Sequence, residues 1–125
     1  MASKIVLMTA LFDQVSNFAD ELSQMYPDDP DFAILMTALK LMKSTNPSML
    51  AKTIYESAIK YEDQILGHDE EFFLNSEFEE YKEDGMDIIA KMKQYYSLMD
   101  LKSKDNVWKY CQNIIRLSKA VQVSA

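Results

Sequence analysis

At 125 residues the chain can build one hydrophobic core, and its 48% hydrophobic and 26% charged residues are ordinary for a soluble globular protein. Its formal net charge of −7 argues against a simple basic nucleic-acid binder. No apolar run nears the roughly 18 residues that span a bilayer, and the lone Cys111 excludes an internal disulfide.

Two glycines, Gly67 and Gly85, are too few for a phosphate-cradling loop or repeated hairpin turns. Apolar periodicity of helical type fills most of the chain, so the expected fold is all-α: a single-domain bundle of about five helices over residues 1–125.

The first helix is expected from Ser3 to Met25. Met8, Phe12, Val15, Ala19, Leu22 and Tyr26 form its apolar stripe, opposed by Asp13, Asn17, Asp20 and Gln24. Tyr26-Pro27 ends it, because a residue preceding proline is pushed out of the helical region. Asp29-Pro30 starts the second helix with a capping carboxylate and a proline at the first helical position. That helix carries two apolar stripes, Phe32/Leu35/Leu39/Met42 and Ile34/Ala38/Leu41, which predicts the central, most buried element.

Asn46-Pro47 repeats the start signal for a third helix with the stripe Leu50, Ile54, Ala58, Tyr61 and Ile65, ending near Gly67 as a left-handed cap. Residues 68–85 are the least regular, with Ser76 and Glu79 forming a candidate capping box. A fourth helix is expected from Met86 to Met99. Ser103 is a candidate cap for a fifth, from Lys104 to Val121, whose apolar stripe includes Val107, Cys111, Ile114 and Ser118.

Catalytic and metal chemistry find little support. His68 adjoins Asp69, Glu70 and Glu71, but consecutive residues do not converge on one ion, and no second histidine completes a set. The run from Glu83 to Asp87 lacks the alternating donors and the closing Glu of a calcium loop. Cys111 sits on an apolar stripe, which predicts a buried, unreactive thiol. No enzyme activity and no cofactor are therefore expected.

Charge is unevenly spread. Residues 62–87 hold 11 of the 20 acids and a single base, Lys82, whereas residues 91–119 hold seven bases and two acids. The acidic stretch also carries Phe72, Phe73, Phe78 and Tyr81. With Glu70 and Glu71, these are the expected contact residues for a basic protein partner, the rings supplying energy and the carboxylates steering approach. Nine methionines are expected mainly in the core, any exposed ones marking a binding surface. The alternative is nucleic-acid binding through the last helices, where Trp108 and Tyr110 interleave with Lys102, Lys104 and Lys109.

The segments Asn46-Pro47, Tyr61-Glu62-Asp63-Gln64-Ile65, Glu70-Glu71-Phe72-Phe73 and Lys104-Asp105-Asn106-Val107-Trp108-Lys109-Tyr110 resemble small helical proteins of large nucleocytoplasmic DNA viruses, algal viruses among them. The resemblance spans roughly residues 11–121 and brings no catalytic residues. It implies a viral accessory or virion-associated protein made inside the infected cell, in its cytoplasm or nucleus.

Overall fold

A computed structural model describes residues 3–75 and 88–124. The described residues are all-α and contain no strand. The helices are α1 (Lys4–Met25), α2 (Pro30–Thr45), α3 (Pro47–Ile59), α4 (Glu62–Leu66), α5 (Glu70–Asn75), α6 (Ile88–Leu98) and α7 (Leu101–Val123).

Most helix starts follow from side-chain caps. The Ser3 hydroxyl accepts from the Val6 N–H, the Asp29 carboxylate from Asp31 N–H, and the Asn46 amide oxygen from Met49 N–H. Helix α7 begins earlier than expected. Asp100 rather than Ser103 is its cap, accepting from the Ser103 N–H at 2.8 Å, and this bond holds the Asp100 carboxyl below its usual pKa.

The expected third helix divides in two. Tyr61 N–H bonds back to Ala58 O, a tight i−3 turn, and α4 then starts in a new direction. Nothing in the local sequence signals this break. It lets Tyr61 meet Phe72 and lets Glu62 reach Lys119. At the end of α4, Gly67 keeps right-handed angles (φ −82°), and His68 takes the left-handed ones (φ 54°). The glycine is needed for room instead: a Cβ there would lie 2.9 Å from the Asp63 carbonyl.

The centre of the structure is the α1–α7 pair, not α2. Helix α1 packs on α7, α2 and α3, and α7 packs on α1, α3 and α4. Leu11, Phe12, Ala19 and Leu22 of α1 are buried, as are Trp108, Ile115, Ser118 and Val121 of α7. In α2 only Phe32 is buried. Its Leu35, Leu39 and Met42 stripe is half-buried, and its Ile34, Ala38 and Leu41 stripe faces outward. A helix with apolar residues on two sides is central only if neighbours cover both, and among the described residues α2 has neighbours on one.

The α1–α2 turn is fastened to α6 by Asp29. Its carboxylate accepts from Lys91 Nζ (2.8 Å and 3.0 Å) and from the Tyr95 hydroxyl (2.6 Å), and Lys91 also pairs with Asp31 at 2.6 Å. Tyr95 stacks on Tyr26 with ring centroids 3.8 Å apart. The Lys91 ammonium first, then the Tyr95 hydroxyl and the Asp31 N–H, hold the Asp29 carboxyl at about 2, below its ordinary 3.8. A depressed carboxyl stabilises the fold above its unfolded pKa and loses that contribution as pH falls through the folded value. Urea denaturation of the wild type should therefore show the midpoint falling between about pH 5 and pH 2, with a smaller fall in Asp29→Asn. Parallel curves for the two proteins would show that this cluster does not couple folding to pH.

Candidate functional site

Helix α5 carries four of the six contact residues expected from sequence, Glu70, Glu71, Phe72 and Phe73, and the fold itself uses three of these four. The Phe73 ring stands edge-on to Tyr96 (centroids 5.5 Å) and to Trp108 (6.3 Å). Phe72 packs on Tyr61 at 5.8 Å. Both Phe72 and Phe73 are half-buried. Glu70 is half-buried beside Lys104 (3.9 Å), whose ammonium also lies 5.1 Å from the Tyr96 ring centre, and Glu71 is exposed. Phe78 and Tyr81 lie outside the described residues.

This corner is an aromatic joint between α5, α6 and α7. The Trp108 indole N–H donates to the Tyr96 hydroxyl at 2.8 Å, so two large buried side chains satisfy each other's polar atoms. Burial is the first cause of the raised Tyr96 pKa. The His68 ring stacks on Trp108 at 4.4 Å, which places the only histidine in packing. Trp108 is 7% exposed and Tyr110 is half-buried against Phe18, so Trp108 offers no open face for a nucleobase.

Cys111, expected to be buried, is half-buried on α7, and desolvation of its thiol pushes its pKa up to about 11. Among the described residues no group of three metal-ligating side chains converges. No described helix is long and apolar enough to cross a membrane. An open groove of about 510 Å³ lies between the α1–α2 turn and α6, lined by Met25, Tyr26, Pro27 and Tyr95. Of its charged groups, Asp29 and Lys91 are already joined to each other, and Asp28 is exposed.

The surface that sequence reasoning missed is the outer side of α2. Ile34 is 51% exposed and Leu41 63%. Of the ten exposed positions in α2, only Lys40 and Lys43 are charged, whereas five of the ten in α7 are. An outward helix face so poor in charge, with two large aliphatic side chains two turns apart, is unlike a solvated surface. The Ile34/Ala38/Leu41 stripe was its visible signal, assigned to the core because periodicity cannot say which stripe is covered.

No protein-family model, curated protein or solved structure matches this chain.

Two measurements check this description. Phe73→Ala should cost about 1–3 kcal/mol of folding stability through lost ring packing, whereas Glu71→Ala should be nearly neutral in urea titrations. A disulfide reagent at about pH 8 should label Cys111 in the native protein far more slowly than a free cysteine, since only about one thiol in a thousand is then ionised. Immediate labelling of the native protein would contradict this desolvation.

Proposed function

We propose that the chain is a non-enzymatic, single-domain helical bundle that works by docking on another protein, and that the outer face of α2 is the docking surface. The observation that carries this reading is the exposed Ile34/Ala38/Leu41 stripe, which no described residue covers, on a helix whose other stripe is half-buried. Large apolar side chains on such a face supply binding energy when a partner removes them from water.

The acidic-aromatic segment is a weaker candidate than its composition suggests. Rings already packed on Tyr61, Tyr96 and Trp108 have less surface left to give a partner. Glu70 and Glu71 keep a steering role toward a basic protein. The resemblance to proteins of large DNA viruses supports reading the module as an accessory or virion-associated protein of the infected cell. Nucleic-acid binding is the second reading, favoured by the outward Lys102, Lys109 and Arg116 of α7.

The test is affinity capture from the producing cell with three baits: wild type, Ile34→Glu/Leu41→Glu, and Glu71→Ala. Both variants should keep their helical circular dichroism, because exposed positions tolerate substitution within about 0.5 kcal/mol. A protein retained by wild type and Glu71→Ala but lost from the double variant is the expected result. Equal retention by all three baits moves the docking surface away from α2.

A further inference from the structure

Helices α1 and α7 form a two-helix face whose polar pattern is complementary to itself. They run antiparallel, since Gln14 meets Asn113 and Phe18 meets Tyr110, each step up one helix matching a step down the other. On that register Asp13 lies level with residues 114–115 and Asp20 with residues 107–108. Their inward stripes share one core, so their outward rows look the same way.

The row on α1 is Asp13, Asn17, Asp20 and Gln24. The row on α7 is Lys102, Asn106, Lys109, Asn113 and Arg116. Both alternate a charged residue with an amide at spacings of four and three, which keeps each row nearly straight along its helix. Like charges recur every seven residues, about 10.5 Å apart. All these residues are exposed except the half-buried Asp20, which accepts from Gln24 within its own row.

Among the described residues, no ion pair neutralises the two rows within the molecule. Lys104 and Lys119, toward the α4–α5 side of α7, pair with Glu70 and Glu62. Lys102, Lys109, Arg116 and Asp13 make no ion pair among the described residues. Packed helix axes lie about 8–10 Å apart, so acids and bases stand in parallel lines across a shallow furrow. On its floor lie the Gln14–Asn113 hydrogen bond and the stacked, half-buried Phe18 and Tyr110.

We propose that two copies of the chain pair face to face through α1 and α7, each acid–amide row lying on the other copy's base–amide row. A two-fold axis parallel to the helices in the interface sets α1 of one copy over α7 of the other at unchanged height. Asp13 then meets Arg116 of the second copy, Asp20 meets Lys109, and Gln24 lies near Lys102. The Phe18–Tyr110 pairs close over each other at the centre, with Glu21 beside the Tyr110 hydroxyl, and the paired rows flank them. An axis perpendicular to the helices would set acids on acids, so the charge pattern selects one arrangement. A polyanion such as a nucleic-acid duplex would match the α7 row alone and meet the α1 acids beside it. This face lies apart from the outer side of α2, so the two surfaces can be altered separately.

Charge reversal tests the pairing by sedimentation of the full chain at low salt. Lys109→Glu/Arg116→Glu makes both rows acidic, and Asp13→Lys/Asp20→Lys makes both basic. The wild type should dimerise, each variant alone should weaken at least about tenfold, and an equimolar mixture should recover 1:1 dimers. The basic variant is the sharper arm, because it reduces net charge from −7 to −3 and so lowers general repulsion between copies, yet it should lose the dimer. If a reversal disturbs helical circular dichroism, the neutral pair Asp13→Asn/Asp20→Asn replaces it, with weakening again expected. A monomeric wild type, undiminished variants, a mixture that stays monomeric, or a wild type that binds duplex oligonucleotide as a monomer would each overturn the proposal.

Discussion

The structure depends on the long antiparallel contact between α1 and α7. These helices are 22 and 23 residues long, and every other sizeable packing contact in the described residues involves one of them or α2 against α3. Leu11, Phe12 and Val121 meet Leu50 and Ala51 in the buried cluster at one end of the pair. Toward the other end Trp108 and Tyr96 fix α6. Ser118 joins the buried stripe because its hydroxyl bonds back to the Ile115 carbonyl, leaving its polar atom satisfied where an apolar residue would otherwise be expected.

A second constraint acts at long range in sequence. Asp29 caps the start of α2 and at the same time receives Lys91 and Tyr95 from more than sixty residues away. One carboxylate thus fixes the α1–α2 turn and the position of α6 together. That dual use explains why its oxygens, though near an open groove, are not free for outside chemistry. The groove is a by-product of the joint, with Asp29 and Lys91 spent on each other.

Much of the fold was legible because its signals are local. Asp29-Pro30 and Asn46-Pro47 state a helix start in two residues each, and both starts stand in the structure. Tyr26-Pro27 states an end, and α1 ends there. Where two local signals compete, the sequence is ambiguous. Asp100 and Ser103 are both capping residues, and Asp100 prevails with the Ser103 N–H as its donor. Gly67 is the better left-handed residue, yet His68 takes that conformation and its ring stacks on Trp108, forty residues on. The site was less legible for the same reason. The two stripes of α2 have the same period and chemistry, and only the arrangement of α1 and α3 decides which is covered. The aromatic α5 looked available because its partners, Tyr61, Tyr96 and Trp108, are distant in sequence.

The fold therefore sorts its candidate contact groups in a way composition does not suggest. The described aromatic residues, the usual anchors of an interface, are mostly spent on internal packing. The described groups left outside include an aliphatic, charge-poor face on α2, and rows of charge and amide on α1 and α7. These surfaces suit different tasks. Burying Ile34 and Leu41 would gain free energy with any apolar surface of matching shape, so on the proposed reading α2 would supply affinity with modest selectivity. Exposed charge pairs add little affinity each, but a wrong register sets like charges together, so the proposed α1–α7 pairing would supply orientation. A chain of this size that kept both on separate sides could hold one partner in a defined geometry relative to another, and that division of labour follows from α2 packing through one stripe only.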